Sequence, residues 1–530
     1  MIMKRFFAFL CAVSLLFCLP VLPARALSGV SDTVRVGLVY GGSAKAGYNA
    51  LAERGFEIGY FSGNTFVNLM TTDASYVAAY ADRLYQGEMS VKPYNIEVGP
   101  FANVDEAWSF AVSLSAQYPG IEMFPAYMNG QYVVHIDYFS TAAYAEADLV
   151  KYQEAMPGLS FTVSGPGGVI LFNLDNGKIL FETDEKLALK PVQSGDEVVY
   201  LKNGSERYYG SFEFPASGNE ISLVNVVNLE DYVCGVVPNE MVASWEVEAL
   251  KVQAVCARGY AAMNMGKHQK DGFDLCATTH CQVYRGRKNV TQNVWQAVDG
   301  TRGEVVTYNG QPITTYFMAS SGGYTESSAN AWGGEYLPYY SAVEDPYSPD
   351  LAYSSTVTAA ELTTYLQNKG YQIGDVVDCY ISQYSEPAGN AYEVTVKDSA
   401  GGELKFQTTD AVRIAFSAYV KSPRFHITKT GGSDIYLNEG EKASGDLSVI
   451  DGTGTISALP GSPSVIDGSG TVSQIEGGGE ITFTFAGTGW GHNVGMSQYG
   501  AREMAKQGFG YQEILKFYYR GTEVMHLSQL

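Results

Sequence analysis

Residues 234–260 read CGVVPNEMVASWEVEALKVQAVCARGY. The stretch parses as a strand end, a proline turn carrying the lone acid Glu240, and a long helix predicted over about 244–265. Val247, Leu250, Ala254, Ala257 and Ala261 recur at three- and four-residue steps, giving that helix a narrow face of small apolar residues. Ser244 is the expected N-cap, which puts Glu246 and Glu248 in the first turn, where the helix dipole favours acids. Glu230 and Asp231 read as solvated residues of a turn before Tyr232, and Arg258 as a structural cation on the helix. Glu240 lacks such an explanation. It follows Pro238 and precedes the apolar Met241 and Val242, which tend to desolvate it. A carboxyl so placed can keep its proton near neutral pH and act as a general acid. An acid after Pro-Asn can equally be a solvated turn residue, and both readings stay open at this point.

Outward from this corner, residues 167–228 alternate in short runs (GVILFNL, KILFET, VVYL, YYGSFEF, ISLVNVVNL) punctuated by Gly and Asn turns, which predicts antiparallel sheet. Between 94 and 150 a weak repeat places an alternating strand before a helix twice. Asn103 is the expected cap of one helix and Ser140 of the other, and LSFTV at 159–163 completes a βαββαβ unit. Residues 431–480 are Gly- and Ser-rich and hold two copies of one pattern, SVIDGTGTIS at 448–457 and SVIDGSGTVS at 464–473, expected to form β-hairpins or arches in a solvated insertion. The fold class is α+β. The expected division is 1–26 leader, 27–90 N-terminal α/β segment, 91–165 βαββαβ domain, 166–430 main domain, 431–480 insertion and 481–530 completion of the main domain.

Residues 1–26 have the three parts of a secretory signal: Lys4 and Arg5, the apolar run Phe6 to Leu22, and a small-residue site at Ala24-Arg25-Ala26. The alternative is an uncleaved anchor that holds the chain to a membrane. Cys18 is a weak lipidation candidate, since the bulky Phe17 precedes it. The chain is therefore expected outside the cytoplasm, at the cell wall or on the extracellular face of the membrane. Its net charge of −22 falls to −25 without the leader, which holds three basic residues and no acid. So acidic a protein is repelled by nucleic acid, and that partner is set aside. The five cysteines outside the leader, Cys234, Cys256, Cys276, Cys281 and Cys379, are odd in number and unevenly spaced, which is not a disulfide scaffold.

Cys276, His280 and Cys281, with His268 upstream, gather two thiols and two imidazoles, a donor set suited to tetrahedral zinc. A Cys276–Cys281 disulfide is the alternative in an exported protein. GTGWGHNVGMSQYGA at 487–501 sets His492, Ser497, Gln498 and Tyr499 on a glycine-rich turn before a helix, where backbone can approach a ligand closely or where His492 is simply satisfied inside the fold. A Ser497–His492 nucleophile pair has no G-x-S-x-G elbow to support it. Ser320, Ser321, Tyr324 and Glu326 form a second polar loop that could contact a ligand, with Glu326 the reserve acid.

The run 224–261, VNVVNLEDYVCGVVPNEMVASWEVEALKVQAVCARGYA, strongly resembles the core of the SpoIID/LytB family, in which a V-P-x-E-M turn precedes a helix reading E-A-L-K-A-Q-A-V-A-A-R-x-Y. The resemblance continues through QVYRG at 282–286, residues 301–333 and GTGWGHNVGMSQYGA, about 300 residues in all. Val252 and Cys256 stand where alanines are usual, and Asn493 where a glycine is. The resemblance implies a lytic transglycosylase that cuts peptidoglycan glycan strands to 1,6-anhydro-muramic ends, in sporulation wall remodelling, with Glu240 as its acid and base. It further implies substrate positioning by residues 487–501 and a structural zinc at the Cys/His cluster, with an amidase as working partner. The alternative within the family is a non-catalytic, LytB-like peptidoglycan-binding activator of that amidase. The βαββαβ unit separately resembles a SPOR domain, a module that binds peptide-free glycan.

Overall fold

The computed structural model describes residues 31–82, 92–166, 168–193, 200–431 and 480–530, with the backbone of six short strands between 435 and 474. The leader 1–26 lies outside the described residues. Mixed helix and antiparallel sheet bear out the α+β class.

The described part of the 27–90 segment is not α/β. It is all strand apart from one three-residue 3-10 turn, because its apolar residues alternate with a period of two. Nor do these strands stand apart. A seven-stranded sheet runs Leu275–Cys276, Thr33–Val39, Leu223–Asn228, Ser211–Glu213, Ala188–Pro191, Phe56–Ser62 and Thr65–Thr72, with only the first pair parallel. The first strand of the described chain therefore pairs Thr33 with Asn228 on one side and Gly37 with Cys276 on the other.

A ten-stranded sheet carries the βαββαβ unit at one end. The antiparallel strands Met123–Met128, Gln131–Phe139, Tyr94–Phe101 and Phe161–Ser164 adjoin in that order, and the helices Val104–Gln117 and Ala142–Ala155 cover one face. Asn103 caps the first helix through the Glu106 N–H at 2.9 Å. The second cap is Thr141, one residue beyond the expected Ser140: its hydroxyl accepts the Tyr144 N–H. On the opposite face His135 is buried, with Nδ1 2.8 Å from Glu182 and Nε2 3.4 Å from Glu97. Burial pushes this imidazole down, but the two carboxylates outweigh it and hold its pKa up at about 9. The resulting ion pair ties the unit to the neighbouring strand Ile179–Thr183, which joins Met123–Met128 in parallel.

The helix Val247–Asn264 lies at the centre of the main core. Its buried residues run from Ala249 to Ala262 around almost its whole circumference, so the narrow apolar face expected from periodicity is only part of its contact surface. Arg258 is fully buried on it and forms a two-pronged pair with Glu230, Nε to Oε1 at 2.8 Å and Nη2 to Oε2 at 2.7 Å. Glu230 is thus no solvated turn residue; it also accepts the Gly303 N–H. The solvated reading fails because, among the described residues, the acid is the only counter-charge in contact with this buried guanidinium.

Residues 353–430 and 480–487 build a second core. Strand Thr482–Gly487 lies between Tyr353–Thr358 and Phe425–Thr430, so the completion of the main domain begins after this strand rather than at 481. Thr430 is directly opposite Thr482, and residues 431–480 leave and rejoin the sheet at adjacent points. The two sequence copies each fold as an antiparallel hairpin, 448–450 with 456–458 and 464–466 with 472–474.

Candidate active site

The corner that begins as a proline turn in the sequence is a helix, Leu229–Glu240. Asn228 caps it through the Glu230 N–H at 2.9 Å, and Glu230 and Asp231 occupy its first turn. Pro238 is tolerated because it falls in the last turn. There Asn239 donates its side-chain amide to the Gly235 carbonyl at 2.8 Å, and the Met241 N–H closes onto Val237. Glu240 is the final residue of the helix.

The Glu240 Oε1 accepts the Val283 N–H at 2.7 Å, and the Gln498 side chain is a second hydrogen-bond partner of the carboxylate. Gln498 in turn donates to Gln253 of the central helix at 3.1 Å. Burial raises the Glu240 pKa to about 7, the two hydrogen bonds pulling only partly the other way. The other acids of the corner are occupied. Glu246, not Ser244, is the N-cap of Val247–Asn264, and it pairs with Arg502 at 3.6 Å. The helix starts later than expected because Trp245 is drawn into the core, against Tyr499 at 5.1 Å and under Arg502 at 4.8 Å. Glu248 accepts from Lys251 and from the Tyr511 N–H.

His268, Cys276, His280 and Cys281 come together, with one ligand atom from each lying within 4.8 Å of the others. Both cysteines are free thiols, so the disulfide alternative is not the state described. His280 Nδ1 is 3.6 Å from each sulfur and 3.2 Å from His268 Nε2, while His268 Nδ1 is held by Asp271 at 2.8 Å. Burial disfavours the Cys276 thiolate, yet the bonds from Thr278, His280 and Cys281 outweigh it and lower its pKa to about 6. The donor set fits a tetrahedral metal, and the Asp271 contact is the outer partner such a histidine needs. Two residues beyond Cys281 comes Val283, whose amide holds Glu240.

The two polar loops meet through the parallel pairing of Phe317–Met318 with Met496–Ser497. Gly495 permits this approach: at φ 77° a Cβ there would lie 2.2 Å from the Tyr316 carbonyl. Asn493 takes φ 65°, the conformation of the glycine it replaces, and its amide donates to the Ser321 carbonyl at 3.1 Å. This close meeting changes the role of four residues. Ser320, Ser321, Ser497 and Glu326 are fully buried and spent on the fold. Ser321 donates to Asp345, Ser320 and Ser497 share Ser348, and Glu326 accepts from Ser327, Asn330, Ser385 and Asn390. They shape the loops from within, and Glu326 is no reserve acid. Tyr324, Tyr499 and His492 keep partial exposure. His492 lies against Trp332 and Tyr316, and burial pushes its pKa down to about 4, the charge of Asp410 raising it and that of Arg413 lowering it. It is a neutral ring and is not bonded to Ser497, which caps the helix Gln498–Lys506 instead. Gln498 is the residue of this motif that reaches Glu240.

Val283 and Gln253 were not singled out from the sequence. A backbone N–H leaves no residue-type signature, and Gln253 is hidden in the helix repeat.

A small cluster of thiols and imidazoles thus stands beside one desolvated acid, on a helix corner closed by a glycine-rich loop. Residues 217–308 match the family described as "Stage II sporulation protein", SpoIID. An uncharacterized protein of Brachyspira hyodysenteriae is 32% identical over 362 residues, which is 66% of this chain and 77% of that protein. The "Amidase enhancer" of Bacillus subtilis is 30% identical, over 54% of this chain and 39% of its own length. "Stage II sporulation protein D" of the same organism is 28% identical, over 57% of this chain and 75% of its own. The chain belongs to the SpoIID/LytB family.

Proposed function

We propose that the chain is a peptidoglycan lytic transglycosylase in which Glu240 is the single acid and base. The observation that carries this reading is the Glu240 carboxyl, desolvated enough to titrate near 7 yet anchored by the Val283 N–H. A hydrolase needs a second carboxylate to activate water or attack the sugar. A lytic transglycosylase uses the 6-hydroxyl of the muramic acid, already tethered at high effective concentration. Glu240 gives its proton to the glycosidic oxygen as the C1–O bond breaks. The 6-hydroxyl oxygen then bonds C1 and returns its proton to Glu240. No water is consumed, and between the two transfers the carboxylate is stabilised by Val283 and Gln498.

Zinc held by His268, Cys276, His280 and Cys281 would have a structural task, fixing the segment that leads to Val283. The βαββαβ unit would bind glycan strands, and an amidase that strips stem peptides is the expected partner. The setting is the cell wall outside the cytoplasm, in sporulation; no helix among the described residues is long and apolar enough to cross a membrane. The relative named for amidase enhancement favours a second reading, in which this chain binds the wall and activates the amidase without cutting.

Purified protein incubated with peptide-free glycan separates the two. Anhydro-ended fragments that drop by about 10²–10⁴ in rate in Glu240→Gln, with the fold intact, support the enzyme. An inert parent protein favours the activator, and unchanged cleavage by Glu240→Gln removes the acid assignment. Metal analysis of the parent and of Cys281→Ala tests the zinc, a parent free of metal being the adverse result.

A further inference from the structure

A cavity of about 300 Å³ opens beside the 276–285 segment, with Lys45, Tyr48, Asn203, Tyr208, Ala277 and Arg285 in its wall. Glu240 is not part of it. The chain has a net charge of −22, and several of its cations are spent on acids: Lys190 on Glu57, Lys288 on Glu206, Arg258 on Glu230. Lys45 and Arg285 are both exposed at the cavity and form no ion pair among the described residues, which leaves two cations on one wall. In the same wall stands Tyr48, only 6% exposed; the Lys45 backbone N–H donates to its oxygen, and its O–H proton finds no acceptor among the described residues. A buried hydroxyl proton left without an acceptor is a penalty that a ligand oxygen would remove. Burial, and after it the charge of Glu220, raises the Tyr48 pKa to about 12, so the group remains an O–H donor at neutral pH.

We propose that this cavity is a binding site for a small anion on a polar body, foremost a carboxylate and otherwise a phosphate monoester, held by Lys45 and Arg285 and accepting the Tyr48 hydroxyl. The exposed Glu220 offsets one of the two cations, which matches the site to a single negative charge. The volume admits a sugar- or dipeptide-sized body, and the Asn203 amide and Tyr208 offer polar and ring contacts for it. If the wall-glycan function proposed above holds, the anion is the carboxylate of a muramyl peptide. Arg285 lies two residues after Val283, so a ligand that fixes Arg285 also steadies the extended segment that presents the Val283 amide to Glu240.

Isothermal titration of the full chain with muramyl dipeptide, glycerol 3-phosphate and neutral N-acetylglucosamine tests the site. Muramyl dipeptide is expected to bind, with affinity falling about tenfold in Lys45→Ala and in Arg285→Ala, and less in Tyr48→Phe. The two cation variants alter exposed side chains, and an unchanged melting curve shows that they fold. Equal binding of N-acetylglucosamine, or unchanged affinity in both cation variants, overturns the proposal, as does silence toward both anions. Binding of glycerol 3-phosphate alone keeps the anion site and overturns the muramyl source. Glu240→Gln should bind as the parent does; binding without any glycan cleavage by the parent would sink the lytic reading and leave the anion site standing.

Discussion

Glu240 carries a stability consequence as well as a chemical one. Its folded pKa of about 7 lies above the ordinary 4.5, so the folded state prefers the proton. Stability linked to this group is fully present below pH 4.5 and is lost as pH rises through 7, by about 3 kcal/mol at most. Glu240→Gln, which cannot ionise, should therefore be more stable than the parent at pH 8 and nearly equal to it at pH 4, as read by urea unfolding at the two values. On the lytic reading, cleavage by the parent should also decline above pH 7 as the acid form empties. Arg258 sets the opposite case. Arg258→Met leaves the Glu230 carboxylate buried without its partner and should cost about 3–5 kcal/mol in the same unfolding experiment, while Arg258→Met with Glu230→Gln recovers a good part of it. Glu240 itself was legible in the sequence, through its apolar neighbours and the surrounding motifs. The buried state of Glu230 was not: an acid in the first turn of a helix looks the same in sequence whether it faces water or a guanidinium 28 positions along the chain.

At the scale of elements, local chemistry spoke clearly where caps and alternation decide the outcome. Asn103 and the paired hairpins behave as their residues suggest. The Leu229–Glu240 helix was missed because Pro238 argues for a turn, and only its position in the last turn makes it harmless. The serines of 320–321 and Ser497 look like ligand contacts in a linear reading; their burial comes from the pairing of Phe317–Met318 with Met496–Ser497, which no local pattern encodes. That junction depends on two left-handed residues. Asn493→Gly should be nearly neutral, since glycine adopts φ 65° freely and only the bond to Ser321 is lost. Asn493→Val should cost about 2 kcal/mol or more, because a β-branched residue resists that conformation. Paired melting curves of the two variants check the difference, and equal curves would mean that the loop relaxes around the change.

For the whole molecule, the sequence divides the chain more cleanly than the fold does. The strands before residue 82 share both large sheets with strands of residues 166–228, and the strand Thr482–Gly487 belongs to the second core. Composition marks 431–480 as an addition, and the sheet agrees, since Thr430 and Thr482 face each other with hydroxyls 2.6 Å apart. Joining 430 to 481 by a short Asn-Gly turn should leave the melting temperature within a few degrees and, on the lytic reading, glycan cleavage intact. Loss of folding in that variant would show that the insertion supports the second core.

The pairing of Thr33 with Asn228 and of Gly37 with Cys276 also fixes an order of events. A chain emerging from its amino end has no partner for its first strand until residue 228 has appeared, and no complete edge until residue 276 follows. Closing so long a loop is slow compared with forming a local hairpin. The main core, together with the Glu240 corner it supports, is thus assembled late, after most of the polypeptide has been delivered. On the lytic reading proposed above, an exported chain would stay inactive until that strand order is complete, because the Glu240 corner cannot form early.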